Sequence, residues 1–275
     1  MVRRAGRGPE RASVDFGLGD HRIMERLLVV VPAYNEAASI GAVLREVRAV
    51  LPDAGVLVVD DGSSDGTREA ALAEGVKVLS LPFNLGVGGA MRAGFRYAVR
   101  NGYTQVVQVD ADGQHDPRHI PLLIDRLTDA DIVIGARFAG EGEYTVRGPR
   151  RWAMRLLASY LSRLTGTRLT DATSGFRASG PQAVELFARF YPVEYLGDTV
   201  ESLVIAALAG LRVTQVAVSM RVRSTGRPSQ TPFKALVYLL RAGLALVMAR
   251  LRWRSKRRLG LARSASVVVQ GEERL

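Results

Sequence analysis

At 275 residues the chain has room for one large domain or a domain with an appendage, and 47% hydrophobic residues are ample for a core. With no cysteine, a disulfide framework, an iron–sulfur site and a thiol nucleophile are excluded, and three histidines, two of them crowded around Pro117, weigh against structural zinc. The net charge is +11, but eleven Lys/Arg and no Asp or Glu fall between Arg221 and Arg258 while the remainder is close to neutral, which argues against a nucleic-acid footprint spread over the whole protein.

Residues 1–23 are rich in Arg, Gly and small polar residues, without apolar periodicity and without the hydrophobic core of a signal peptide. They are expected to be a disordered basic extension, and Met24, directly before the first strand, offers an alternative start. Leu27 to Val31 is an apolar run of strand length, closed by Pro32, and Ala37 to Leu51 has helical periodicity through Ile40, Val43, Leu44 and Val47. Val56 to Val59 is a second buried strand, ending on Asp60-Asp61-Gly62-Ser63-Ser64-Asp65-Gly66. A helix to about Ala73 and a strand from Val76 to Leu81 follow. Asn84 to Gly89 is a glycine-rich loop leading into a helix over Ala90 to Arg100.

Next, Val106 to Val109 reads as a strand that ends on Asp110 and Asp112, and Pro117 behind Asp116 starts a helix to Leu127. Ile132 to Gly135 is a further strand. Solid apolar strands alternating with helices predict an α/β fold with a mostly parallel sheet covered on both faces. Beyond it, Ala139 to Arg150 reads as a loop, 150–164, 181–189 and 199–209 as helices, and Arg212 to Val218 as a strand. One domain is expected over 24–222.

The chemistry gathers at three strand ends, 32–36, 60–66 and 110–116. Bare carboxylates are costly to bury inside a strand, so Asp110 and Asp112 belong at its open mouth. There, with Gln114, they offer hard oxygen donors suited to Mg²⁺ or Mn²⁺ on a substrate diphosphate. The Asp60-Asp61 pair can accept hydrogen bonds from a base or ribose. Glycines 86, 88 and 89 either let the backbone approach a ligand or serve a tight start to the next helix. No Walker A lysine and no G-x-G-x-x-G after the first strand are present.

Val31-Pro32-Ala33-Tyr34-Asn35-Glu36, Val59 to Thr67 and Asp110 to His115 together resemble family 2 glycosyltransferases of the GT-A fold. Asn84-x-Gly86-x-Gly88, Gly135-x-Arg137-Phe138 and Thr173-Ser174-Gly175-Phe176-Arg177 narrow the resemblance to the branch of polyprenyl- and dolichyl-phosphate sugar synthases, over about Leu27 to Val222. The resemblance implies a Rossmann-like GT-A domain and an inverting hexosyltransferase taking a GDP- or UDP-sugar to a polyprenyl phosphate. Pro32, Tyr34, Glu36 and Asp60 or Asp61, with Gly86, Gly88 and Asp110, would line the nucleotide-sugar site. Asp110, Asp112 and Gln114 would hold the metal. Arg137 and Arg177 would approach phosphates, where a planar fork of donors suits phosphate oxygens. A phosphate acceptor is already an anionic nucleophile. A saccharide hydroxyl would need a base, for which Asp198 and Glu201 are candidates beside their simpler reading as helix N-terminal acids. Arg151-Trp152 comes too early, and without the glutamine of the chain-elongating relatives, for a processive polymerase. A family 2 enzyme acting on a saccharide hydroxyl and a non-catalytic nucleotide-sugar-binding module stand as alternatives.

After the last motif, Ala235 to Leu240 and Ala242 to Ala249 are apolar but interrupted by Arg241 and Arg250, far short of the ~20 residues that span a bilayer. Lys234, Arg241, Arg252 and Lys256 fall on one helical stripe with Leu236, Leu240, Val247 and Leu251 opposite. Residues 223–258 are therefore expected to form a basic amphipathic helix, and 259–275 a flexible tail. The helix would lie on an anionic membrane surface at its cytoplasmic side, or dock on a small membrane-anchoring protein or a second copy of the chain.

Overall fold

The computed structural model describes residues 26–137, 149–193 and 198–221. The expected basic extension, the 139–148 part of the loop, the amphipathic segment 223–258 and the tail 259–275 lie outside them. Seven strands form one sheet: β1 (Leu27–Ala33), β2 (Gly55–Asp60), β3 (Lys77–Ser80), β4 (Gln105–Gln108), β5 (Ile132–Arg137), β6 (Arg177–Ser179) and β7 (Val213–Val218). Their order is β3-β2-β1-β4-β6-β5-β7, with β6 antiparallel to both its neighbours and every other pairing parallel. The helices are α1 (Ile40–Val50), α2 (Thr67–Ala73), α3 (Val87–Arg100), α4 (Ile120–Asp125), α5 (Pro149–Thr165), α6 (Pro181–Phe190) and α7 (Asp198–Leu208). Among the described residues no helix is long and apolar enough to cross a membrane.

The unbroken apolar runs follow from burial on both faces. Side chains alternate across a strand, so Leu28 and Val30 of β1 join Leu57 and Val59 against Met91 and Phe95 of α3, Phe187 of α6 and Leu203 of α7. Leu27, Val29 and Val31 point the other way, onto Ile40, Leu44 and Val47 of α1 and Ile120 and Leu123 of α4. Every position of β1 is buried, so the alternation seen in one-sided sheets is absent there, while the edge strand β3 exposes Lys77 and Ser80.

Pro32 does not close β1, as the sequence reading expects, but lies inside it, paired with Val59. The reason it is tolerated explains the crevice. Val30 accepts the amide of Val109 at 3.0 Å, so alternate residues of β1 face β4. Pro32, two residues on, faces the same way and has no N–H to give. The β1–β4 ladder stops at Val30↔Gln108, and the chain leaves β4 for Asp110. Here the strand order also reverses, with β2 on one side of β1 and β4 on the other, the place where open α/β sheets take ligands.

The sequence reading places no strand between the helices at 150–164 and 181–189, whereas the structure has β6 there. Ala178 of β6 stands opposite Val107 of β4 and Val133 of β5. Arg177, Ala178 and Ser179 show no periodicity of their own, and the pairing is imposed by the two strands they fill between. Phe176 is fully buried at the head of β6, with its carbonyl accepting the amide of Gly135 at 2.8 Å. Phe176→Ala should lower unfolding free energy by about 3–5 kcal/mol, and Phe176→Leu by less, measured by urea denaturation.

Candidate active site

Because β1, β2 and β4 run parallel and side by side, the loops that leave them meet at one edge. The first two are stitched together. Asn35 N donates to Ser63 Oγ at 3.0 Å and Ser64 N to Asn35 Oδ1 at 2.9 Å. Glu36 N donates to Thr67 Oγ1 at 2.8 Å and Ala37 N to Asp65 Oδ2 at 3.2 Å. Asn35 sits at φ 55°, a left-handed conformation that asparagine tolerates better than most residues. The turn sets Tyr34 on the rim, 46% exposed, and leaves Glu36 half-buried with Ser39 Oγ donating to its Oε2 at 2.6 Å. Pro32 is buried beneath them.

The two adjacent aspartates after β2 diverge. Asp60 accepts the amide of Ser63 at 3.1 Å and so caps its own loop. Asp61 turns to the glycine-rich loop, taking the amides of Leu85 at 2.7 Å and Gly86 at 2.8 Å on separate oxygens. Burial raises its carboxyl above the ordinary value, while those two amides pull it down. Gly86, at φ 80°, also donates to Asn84 Oδ1, and a Cβ on Gly88 would stand 2.4 Å from the carbonyl oxygen of Pro192. Gly86 and Gly88 therefore serve the tight start of α3. Both acids are buried, and of the two it is Asp61 that is committed to the glycine-rich loop.

The loop after β4 is the most heavily braced. Gln108 Nε2 donates to Asp110 Oδ1 at 2.9 Å, and Asp110 N donates to His115 Nδ1 at 3.0 Å. A ring nitrogen that accepts carries no proton, so the imidazole N–H is on Nε2, 3.5 Å from Asp110 Oδ2. His115 is buried and stacks on Phe176 with ring centroids 4.8 Å apart. Asp112 Oδ1 accepts the amide of Gln114 at 3.0 Å across Gly113, whose φ is 76°. Asp116 is gripped by Arg118 through Nε and Nη2, with Arg221 Nη2 at 3.2 Å, and this arginine pairing holds its carboxyl at about 2.

These residues fit Mg²⁺ or Mn²⁺. Among the described residues no three His, Asp or Glu side chains converge as metal ligands. Asp110, Asp112 and Gln114 offer hard oxygens from one loop, which suits an ion that keeps waters and substrate phosphates in its shell. Gly175 supplies the space: a Cβ there would come within 3.3 and 3.4 Å of the two Asp110 oxygens and 2.8 Å of Gln108 Nε2. Asp110, Asp112 and Gln114 are brought to one short loop, as the sequence reading has it. His115 and Phe176, given no role there, prove to orient it. The signal was present in the Asp-Gly-Gln-His and Gly-Phe-Arg runs, but only the fold stacks one ring on the other.

Arg177, expected to approach phosphates, makes the following contacts within the protein. It is buried, donating from Nε to Ser174 O at 2.8 Å, from Nη2 to Ala172 O at 2.7 Å, and from Nη1 to Thr199 O at 2.8 Å and Ser202 Oγ at 3.1 Å. It ties the 172–174 turn to the first turn of α7 from beneath the site. Asp198 opens α7 and is buried, and its Oδ2 finds no hydrogen-bond partner among the described residues. Burial pushes its carboxyl up to about 6, against the opposing pull of Arg177. Burial likewise raises the Tyr191 phenol, with Asp198 adding to the effect. Glu201 is buried one turn along α7. Arg137 ends β5 opposite Val218, and its side chain is outside the described residues.

The chain is similar to known proteins in sequence and in fold. The profile of the family described as Glycosyl transferase family 2 matches residues 28–185. An undecaprenyl-phosphate mannosyltransferase of Micrococcus luteus is 35% identical over 252 residues, 86% of this chain and 100% of that protein. A polyprenol monophosphomannose synthase of Mycolicibacterium smegmatis is 36% identical over 191 residues, 66% of this chain and 69% of its own. Among solved structures, glucosyl-3-phosphoglycerate synthase from Mycobacterium tuberculosis, in complex with Mn²⁺, UDP and phosphoglyceric acid, shares the fold with a TM-score of 0.64 at 22% identity, covering 87% of this chain and 84% of that one.

Two outcomes follow from the buried charges. Arg177→Lys keeps the charge but cannot reach the same acceptors, and should lower unfolding free energy by about 2–4 kcal/mol. Unchanged stability with reduced turnover would instead put the guanidinium on substrate. For Asp198, a folded value of about 6 against an ordinary 3.8 means the folded protein holds the proton longer than the unfolded chain. Stability should therefore fall as pH rises through that interval, in the absence of divalent cations, and Asp198→Asn should remove this slope from thermal-denaturation profiles.

Proposed function

The chain belongs to glycosyl transferase family 2, and from that premise we propose that it transfers a sugar from a nucleotide-diphosphate sugar to a polyprenyl phosphate, with Mg²⁺ or Mn²⁺ on the donor diphosphate. The observation that carries this reading is the oriented Asp110 carboxylate, set under Gly175 where β1 and β4 part. The choice of acceptor is supported by relatives named for undecaprenyl-phosphate and polyprenol substrates, one of them matched over its whole length.

In this reading an oxygen of the acceptor phosphate forms a bond to the anomeric carbon as the bond from that carbon to the diphosphate breaks. The electron pair departs with the nucleoside diphosphate, and the configuration inverts. A bound divalent cation would neutralise charge growing on the leaving diphosphate. Asp110, Asp112 and Gln114 would hold it, with Gln108 and His115 fixing the plane of the first carboxylate. Tyr34 and Glu36 face the nucleoside from the rim with Asp60 buried below them, and Asp61 with Gly86 keeps the start of α3 in shape behind. Arg137, at the end of β5, is assigned to the phosphates. Arg177 acts from below as a positioning residue. No proton has to be removed from an ionised phosphate, so Asp198 and Glu201 carry no base role with this acceptor.

One observation favours the second reading, a saccharide hydroxyl as acceptor. Asp198, at about 6 and with an oxygen that has no partner among the described residues, has the properties of a general base. A screen of GDP- and UDP-sugars with Mn²⁺ against polyprenyl phosphate and against free saccharides separates the two. We further assign the basic segment 223–258 to peripheral attachment at the cytoplasmic face of a membrane, directly on anionic lipid or through a small anchoring protein or a second copy. Sedimentation of the full chain with anionic vesicles at low salt tests the direct form.

Asp112→Asn retains an oxygen for the Gln114 amide, so the turn is kept while the charge is lost. Transfer should be abolished and metal-dependent donor binding weakened, with stability changed by no more than about 0.5 kcal/mol. Undiminished turnover in this variant would remove the metal assignment.

A further inference from the structure

We propose that Arg221 is a positioning residue for the metal-binding loop, the buckle of a strap that the chain lays across 114–116 after leaving the sheet. The proposal rests on the reading of Asp110, Asp112 and Gln114 as the residues that hold the cation. β7 pairs with β5 only as far as Val218. Past that point the chain has no place in the sheet, yet it does not leave the site. Met220 forms an antiparallel bridge with His115, and Arg221 N donates to Gln114 O at 3.0 Å.

The side chain of Arg221 then reaches two further elements. Its Nη1 donates to Glu46 Oε2 at 2.5 Å, and its Nη2 lies 3.2 Å from Asp116 Oδ1. Glu46 stands on α1 between Leu44 and Val47, which are buried against the sheet, so its backbone is a fixed point. Asp116 is buried and closes the loop at its far end. One residue therefore joins the middle of the loop, the end of the loop and the helix packed beside it.

The strap acts on both sides of the cation site. Gln114 is held through its amide by Asp112 and through its carbonyl by Arg221. His115, bridged to Met220, holds the Asp110 amide on its Nδ1. Slack at 220–221 would reach Gln114 and Asp110 together. Global stability has a smaller stake in the same contacts: Arg221 and Glu46 are 38% and 45% exposed, ion pairs that open to water contribute little, and the buried Asp116 keeps its Arg118 partner when Arg221 is removed. The effect belongs to geometry, as with residues that hold the ligands of a metal.

The test is Mn²⁺ binding to the full-length protein, followed by the electron paramagnetic resonance of free Mn²⁺, alone and with UDP or GDP. Hydrogen exchange of peptides covering 110–116 and thermal denaturation accompany it. Arg221→Gln should weaken Mn²⁺ binding about 10-fold and speed exchange in 110–116, with little change in melting temperature. Arg221→Lys, which keeps the charge and the main-chain contact, should recover part of the affinity. Glu46→Ala leaves the loop untouched and removes only the distal anchor, and should weaken binding in the same direction. Wild-type affinity in Arg221→Gln, with Asp112→Asn impaired, would overturn the proposal and leave the metal assignment standing. Absence of Mn²⁺ binding by the wild type, with or without nucleotide, would overturn both.

Discussion

Pro32 has no N–H, and at its place in β1 that donor would have gone to the strand that carries Asp110. The consequence spreads through the whole domain. β1 stays paired to β2 through Ala33 but is released from β4 after Val30, so two parallel strands with a common origin end on loops that diverge. The gap has to be filled by something other than main chain. On one side the Asn35 turn fills it, laced to Ser63 and Ser64. On the other stands the Asp110 loop, packed on Phe176. A residue with an amide at 32 could extend the ladder and draw the walls together. The parallel sheet supplies the direction of the loops, and the missing donor supplies the room between them.

Inside that room the polar groups are arranged before any ligand arrives. Asp61 is committed to two amides of the next loop, Asp60 to one of its own, and Asp110 to an amide donor on Gln108 with the imidazole edge nearby. Fixed dipoles of this kind do not have to reorganise when charge appears, and electrostatic catalysis requires that property. The arginine layer underneath has a similar character. Arg177 spends its donors on carbonyls and a hydroxyl of two separate segments, converting a charge into a bracket between the 172–174 turn and α7.

Much of this could be read from the residues, and the boundary of what could not is physical. β1, β2 and β4 are solid apolar runs because both faces are covered, so their existence and their parallel arrangement followed from pattern alone. The acids at their ends followed from the cost of burying charge. Three things did not. Arg177-Ala178-Ser179 has no period to detect, since its strand character comes from the neighbours it fits between. Asp60 and Asp61 are identical as letters, and only the turn at Gly62 decides which carboxylate faces the glycine-rich loop. The partnership of Arg221 with Glu46 joins residues far apart in the chain, and no local signal announces a pair of that separation. Gly86 and Gly88 carried two readings, and the Gly86 amide already bound to Asp61 and the closeness of Gly88 to the Pro192 carbonyl support the tight helix start.

The late insertion of β6 also bears on how the chain is made. β4 and β5 lie side by side in sequence but not in the sheet, and the strand that joins them begins at Arg177, forty residues after β5 ends at Arg137. At ribosomal speeds of about 5–20 residues per second, that interval lasts roughly 2–8 s. Throughout it β1, β2, β3 and β4 can assemble, but β4 presents an open edge and β5 has neither of its eventual partners. Open edges of this kind pair with whatever extended chain is nearby, including another nascent copy. A polypeptide interrupted before Ser179 would therefore contain every carboxylate of the crevice after β1, β2 and β4 and still lack a finished sheet, a hazard for synthesis that the completed protein no longer shows.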